Sequence, residues 1–265
     1  MAFGWQSRRV LIVVRTYPVP AQKGAETSCT AAISDSGEWI RIFPVPYRSL
    51  PDEKRFSKYQ WIDVALKKAA HDPRPESFNL DIESIKLRET VPSLGEWSAR
   101  RHLLRPLTQS SLCAIRRERD EKGHPTLGFF KPGTIKRLVI QADARDWTPA
   151  QKTILTQGTL GFMPAPKQEL EKIPYAFSYE FVCAEHGCRG HTMSCTDWEM
   201  AEAYRRWRRD YGDDWEKPFR QRFEHEMIER NDTHFYVGTM HGHPSTWIIV
   251  GLFYPPKHAT LELFD

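Results

Sequence analysis

The sequence predicts an α+β fold: a mixed, antiparallel-leaning β-sheet core, helices mainly in the C-terminal half, and a zinc knuckle. Three observations predict it. Short apolar runs of strand length dominate residues 9–88, whereas helical periodicity is concentrated after residue 196. Between them lies a dense segment, Cys183-Ala-Glu-His-Gly-Cys-Arg-Gly-His191, whose spacing suits a metal ion.

The elements follow in chain order. Val10–Thr16 carries the apolar run Val10-Leu-Ile-Val-Val14 and reads as a buried strand. Thr27–Ser34 is a second strand, Asp35-Ser-Gly37 a turn, and Glu38–Phe43 a third strand. Gln60–Leu66 and Ile82–Leu87 continue the pattern. Tyr17-Pro-Val-Pro20 and Phe43-Pro-Val-Pro46 each follow a strand, and proline there marks a chain leaving a sheet. Residues 90–125 are polar, Arg-rich and amphipathic, and read as a helical connector. Thr126–Lys131 followed by Pro132-Gly133 reads as a turn, and Arg137–Gln141 is a short strand. Tyr175, Phe177, Tyr179, Phe181 and Cys183 alternate along one strand face.

Thr196-Asp-Trp-Glu199 matches a capping box for a helix reaching about Asp210, with Thr196 as the cap. Lys217–Arg230 is a further helix, and His234–Val237 and Thr246–Phe253 close the chain as strands. With 265 residues, the organisation reads as a β-rich part at 1–90, a basic connector at 91–165 and a zinc-knuckle part at 166–265, or one continuous domain. Met163–Pro174 is the best boundary.

Composition narrows the functional classes. At 40% hydrophobic residues the chain can build a packed core, and no apolar run approaches the roughly 18 residues of a membrane span. The first residues lack the apolar region of a secretory signal, so a cytoplasmic location is expected. In a reducing compartment the clustered thiols among the five cysteines read as metal ligands, not disulfides. A net charge of +4 permits a nucleic-acid partner. There is no Gly-rich phosphate loop, no dinucleotide fingerprint and no G-x-S-x-G elbow, which disfavours nucleotide hydrolysis, dinucleotide oxidoreduction and serine hydrolysis of that type.

The C-x2-H-x-C-x2-H segment gives a candidate ligand set of Cys183, His186, Cys188 and His191, with Cys195 as the alternative fourth ligand to His186. A full protein set leaves no open position, so the expected Zn2+ is structural. The spacing lacks the second C-x-x-C of a zinc ribbon and the pattern of zinc deaminases. Downstream, Tyr204, Trp207 and Tyr211 form a helical stripe amid Arg205, Arg206, Arg208 and Arg209, a candidate phosphate grip. A second basic group runs from Arg100 to Arg119. In the N-terminal half, Arg15, Lys23 and Arg74 are candidate substrate contacts, and Glu26, Asp72 and Glu76 candidate catalytic carboxylates at strand ends. The loop containing His241 and His243 offers a weaker metal motif.

Six stretches carry a resemblance: Arg15-Thr-Tyr-Pro18, Glu26-Thr-Ser-Cys-Thr30, Trp39-Ile-Arg-Ile-Phe-Pro44, Asp72-Pro-Arg-Pro-Glu-Ser77, Leu170-Glu-Lys-Ile-Pro-Tyr175, and Cys188-x-x-His191 with Asp197-Trp-Glu199. Together the chain resembles a little-characterised bacterial family associated with phage-defence and mobile loci. The resemblance implies action on foreign nucleic acid and brings no assigned mechanism. The expected function is therefore a DNA-acting hydrolase in anti-phage defence, a DNA glycosylase more than a nuclease, since no carboxylate cluster for paired metals is visible. The alternatives are a non-enzymatic, zinc-stabilised nucleic-acid-binding module, or a partner protein within a larger complex. DNA is the expected partner more than RNA.

Overall fold

The computed structural model describes residues 4–21, 26–157, 166 and 168–257. It is an α+β protein with mixed sheets and helices mostly in the C-terminal half, as the sequence predicts. The predicted boundary at Met163–Pro174 lies largely outside the described residues.

The N-terminal strands are β1 Gln6–Arg15, β2 Val19–Pro20, β3 Glu26–Ser34, β4 Trp39–Val45, β5 Gln60–Lys68, β6 Ser77–Leu80 and β7 Lys86–Thr90. They close on themselves. β1 pairs antiparallel with both β3 and β5, β3 pairs with β4, β4 runs parallel to β6, and β6 returns to β5. This ring is a five-stranded Greek-key barrel, the architecture of OB-folds. Alternation sets its two faces. Val10, Ile12, Ala32, Ile40, Ile42, Ile62 and Val64 fill the barrel with Leu50 and Phe56, while Leu11, Val13, Val14, Ala31 and Ile33 point outward and are also buried.

What buries them is a second sheet. After α1 Leu94–Leu104 come β8 Thr108–Gln109, α2 Leu112–Lys122, β9 Leu127–Phe130, β10 Thr134–Ala142 and α3 Pro149–Gln157. Then follow β11 Tyr175–Val182, β12 His191–Cys195, α4 Trp198–Tyr211, α5 Glu216–Arg220, a π-turn at Gln221–His225, α6 Glu226–Glu229, β13 His234–Met240 and β14 His243–Phe253. The strand order is β10-β11-β12-β14-β13-β9-β8, with β12–β14 and β8–β9 parallel. Residues 91–165, read from sequence as a connector, thus supply three strands of this sheet and α2. One face, through Phe177, Tyr179, Phe181, Phe235 and Ile249, carries α4 to α6. The other, through Phe129, Tyr236, Val250 and Phe253, packs on the barrel.

In OB-type barrels the face of the second and third strands, with the loops between strands one and two and between four and five, is where oligonucleotides bind. Here those strands are β3 and β4, and the second sheet covers them. Polar ties cross the seam. Arg41 Nη2 donates to the Thr126 carbonyl at 2.9 Å, Arg74 Nη1 to the Thr239 carbonyl at 2.7 Å, and Lys58 Nζ to the Leu252 carbonyl at 2.9 Å. The backbone of Tyr17 donates to Thr196 at 3.0 Å. Within the first turn of α1 the chain is left-handed from Gly95 to Trp97, with Trp97 at φ 63°, a costly conformation held by the packing of Trp97 on Phe253 and Tyr254, both rings at 5.5 Å.

Among the described residues, no helix is long and apolar enough to cross a membrane. The backbone comes close to the barrel at Gly251, where an added Cβ would sit 2.9 Å from Val14 Cγ2 across the seam and 3.3 Å from Tyr236 Cδ2 of the neighbouring strand. Gly251→Ala is therefore expected to cost about 1–3 kcal/mol through overpacking. The check is the urea midpoint of unfolding, and an unchanged midpoint would mean the seam is not tightly packed.

Candidate metal centre

The cysteines and histidine of the knuckle are brought together by the turn between β11 and β12. Gly187 and Gly190 adopt φ of 83° and 95° there, a region that side chains rarely enter. Gly133 has no room for a Cβ, because the Cys183–Ala184 backbone would lie 2.6–2.8 Å away. The ligand atoms of Cys113, Cys183, Cys188 and His191 all lie within 4.8 Å of one another. His191 Nε2 is 3.3 Å from the Cys113 sulfur, 3.5 Å from Cys183 and 3.3 Å from Cys188. A tetrahedral ion with sulfur at about 2.3 Å and nitrogen at about 2.0 Å would separate such ligands by roughly 3.5 Å, so the set fits one.

This corrects the predicted ligand set. His186 is not part of the cluster: it is exposed, one residue before Gly187. Nor is Cys195, which is buried at the end of β12 beside Asp197. The fourth residue of the cluster is Cys113, from the first turn of α2, 70 residues upstream of Cys183 in the sequence. The Ser111 side chain caps α2 by accepting from Ala114 N at 2.9 Å. The Ser111 hydroxyl also donates to Glu185 at 2.6 Å, and Arg117 pairs with Glu185 at 2.5 Å, so α2 is tied to the knuckle loop independently of any ion.

Electrostatics around the centre suit a cation. Burial and the neighbouring Cys183 push the Cys113 thiol up to about 12, and burial also raises Cys183. At Cys188 burial is outweighed by the amides of Cys183 and Gly190, and the thiol is lowered. Burial, with Arg116 adding to it, lowers His191 and keeps the imidazole neutral, the form that ligates. A metal loading this cluster must displace protons from thiols. Elemental analysis of the purified protein is expected to find one metal ion per chain, retained in His186→Ala and Cys195→Ser and lost in Cys113→Ser. Retention by Cys113→Ser with loss in His186→Ala would reverse the assignment.

The remaining predicted site residues are placed in separate networks. Lys23 lies outside the described residues. Arg15 is half-buried, its guanidinium 4.2 Å from the Tyr47 ring and 5.1 Å from Trp198. Glu26 is 3% exposed and pairs with Arg48 Nη1 at 2.8 Å; burial pushes its carboxyl up and Arg48 opposes it. Asp72 is paired with Arg74 at 2.5 Å, and Glu76 accepts from the Thr126 hydroxyl and lies 3.4 Å from Arg41. Asp72, Arg74 and Glu76 therefore belong to the latch that holds the barrel to the second sheet, and Glu26 to a different one. On α4, Arg205 pairs with Glu171 and Glu202, Arg208 with Asp213, and Arg209 with Asp210. Arg206 lies over Trp207 at 5.2 Å and forms no salt bridge among the described residues. His241 Nε2 lies 3.4 Å from the His71 carbonyl and joins no metal cluster among the described residues.

The latch has a pH signature. Burial alone would raise Asp72, but its hydrogen bonds from Arg74 outweigh this and hold its carboxyl well below the usual aspartate range. A depressed carboxylate contributes stability that is complete above its unfolded value, about 3.9, and is lost as pH falls below it. The urea midpoint is therefore expected to fall on going from about pH 5 to pH 3, less steeply in Asp72→Asn. Equal slopes would remove Asp72 from the latch.

A buried polar cluster escaped the sequence analysis. Lys58, between β4 and β5, lies 3.4 Å from Asp197 Oδ2 and 3.4 Å from Glu199 Oε1. Asp197, not Thr196, caps α4, accepting from the Glu199 amide at 2.7 Å and from the Leu252 amide at 2.8 Å. The Tyr254 hydroxyl donates to Glu199 Oε2 at 2.8 Å. The signal was present in Asp197-Trp-Glu199, but the spacing was read as helix capping, and nothing local ties it to Lys58.

No curated protein matches the chain. Residues 6–106, the barrel with α1, match the family model described as a domain of unknown function (DUF8758). Residues 108–265, the second sheet with its helices and the metal centre, match the model described as a domain of unknown function (DUF8757). Since that match spans more than half of the sequence, the chain belongs to the DUF8757 family.

Proposed function

We propose that this protein binds nucleic acid, DNA in preference to RNA, through the basic rim of a structural zinc centre. The observation that carries the reading is a group of exposed cations with no salt bridge among the described residues. Arg116 stands on α2, one turn beyond Cys113, and its field reaches His191. Arg189 lies between Cys188 and His191. Lys136 Nζ is 4.0 Å from where a Cβ would sit on Gly190. Three thiolates and one dication leave the loaded centre with a single negative charge, so three cations give a surplus. Phosphate contacts of this kind supply affinity without reading sequence.

Zinc is the metal we assign, because three sulfurs and one imidazole in tetrahedral reach favour it and leave no open position for substrate. Its role is to fasten α2 to the β11–β12 turn and so to fix the rim. The resemblance to a family of phage-defence loci supports foreign DNA as the target, and the clustered thiols support a cytoplasmic setting. Base excision by a glycosylase is a second reading. It is favoured by one observation: Glu199 is a carboxylate with a fixed orientation and an open side. Over a third of its side chain is exposed, whereas Glu26, Asp72 and Glu76 are enclosed in their pairings.

The test is fluorescence anisotropy with labelled single-stranded and duplex DNA and RNA over a salt series. The expected result is DNA binding whose affinity falls steeply with salt. A combined Arg116→Ala, Lys136→Ala and Arg189→Ala variant should bind about tenfold more weakly, with a salt slope shallower by about 2 to 3. Absence of binding to DNA and RNA at low salt, or an unchanged triple variant, contradicts the proposal.

A further inference from the structure

We propose that Glu199, at the head of the groove along α4, is the catalytic carboxylate of a hydrolase that cleaves the N-glycosidic bond of a nucleotide within a DNA strand. This deepens the nucleic-acid reading and rests on it.

The argument begins with what the cluster does not need. Asp197 is accounted for by the fold: it caps α4 and accepts the Leu252 amide. Lys58 is accounted for by its bonds to the Leu252 carbonyl and Asp197. The Glu199 carboxylate caps nothing and bonds no backbone. Lys58 and Tyr254 hold its two oxygens from behind, at 3.4 and 2.8 Å, and 38% of the side chain remains exposed. It lines a groove of about 740 Å³ together with Gln168, Glu171, Glu202, Arg205, Arg206 and Arg209, where Glu171 and Glu202 are paired with Arg205. A merely structural buried ion pair gains nothing from facing an open groove, and such clusters are costly to assemble.

Behind the cluster lie two buried tyrosines, Tyr59 and Tyr236, 3% and 1% exposed, whose hydroxyls pair with each other. Both lie in the field of the same cluster, Tyr59 with Glu199 and Tyr236 with Lys58 and Asp197.

The charge pattern selects the bond. Burial pushes the Glu199 carboxyl up, but Lys58 and the Tyr254 hydroxyl outweigh it and lower it, so it is ionised at neutral pH. A phosphoryl transition state gathers negative charge and would be repelled by such a group. A sugar losing its base becomes oxocarbenium-like, and an anionic carboxylate stabilises that cation. Arg206, which lines the groove and forms no salt bridge among the described residues, is available for a flanking phosphate. In the step, the C1′–N bond breaks and its electron pair leaves with the base. A water oxygen bonds to C1′ and loses one proton to solvent, and the released base takes one proton from solvent. The products are a free base and an abasic sugar.

The full-length protein should be incubated with single-stranded and duplex oligonucleotides containing the four natural bases, uracil, 5-methylcytosine and 5-hydroxymethylcytosine. Strand breaks after hot alkali report abasic sites, and anisotropy on the same oligonucleotides reports binding. The expected result is alkali-labile sites at one class of base. Glu199→Gln should remain folded at the assay temperature, bind within about twofold of the parent and form product at least 100-fold more slowly, and Glu199→Asp should recover part of the rate. If the parent protein binds these oligonucleotides but leaves no abasic site, or if Glu199→Gln is as fast, the inference is overturned while the binding function stands. If no nucleic acid is bound at all, both fall.

Discussion

Where Gly251 of β14 faces Val14 of β1, no side chain fits between them, and from that contact outward the barrel and the second sheet are pressed into one apolar layer. Burial of this layer gives β1 its character. It is one of few strands here with apolar residues on both faces, because each face has its own core. The same contact determines what each half can do. It covers the β3–β4 face on which barrels of this type receive ligands, and it carries Lys58 against Asp197 and Glu199. Lys58, its side chain 10% exposed, is thus held by groups from the other half.

The metal centre is the complementary constraint at the far end of the second sheet. The apolar seam is extensive, whereas the knuckle is a short turn between strands and lacks a core of its own. A metal held by Cys113, Cys183, Cys188 and His191 would replace that missing core, and the Ser111–Glu185–Arg117 bonds set α2 in place beside the turn. Because the cysteines lie at the start of α2 and at both sides of the β11–β12 turn, the cluster fixes the surface on which Arg116 and Arg189 stand. The basic residues of α4 differ: three of the four are neutralised by carboxylates of the same region, so their density in the sequence overstates the field they project.

Much of this was legible in the sequence. β1, β3, β4 and β5 follow from apolar alternation, and β11 from the strict run Tyr175 to Cys183. α4 follows from its aromatic stripe, with Met200 and Tyr204 buried as expected. Three of the four metal ligands follow from local spacing. What was not legible is non-local. Closure of the barrel depends on β1 meeting β5 and β4 meeting β6, pairings that no periodicity encodes. Cys113 sits in a helix of mostly polar residues, far from the other ligands in the sequence. β12 was hidden within the knuckle, and β9 was taken for a turn because of the Pro and Gly that follow it. Asp72, Arg74 and Glu76 have the composition of a catalytic loop, but such charges also serve to cross-link two surfaces, and only the second surface shows which.

The central claim is that the barrel and the second sheet are one cooperative body, with the Lys58–Glu199 cluster assembled by their contact. Native-state hydrogen exchange read by mass spectrometry tests this directly. The account predicts that β1, β3, β13 and β14 share one opening free energy and lose protection together as denaturant is raised. Independent opening, with the barrel strands exchanging at one free energy and β13–β14 at another, would contradict it.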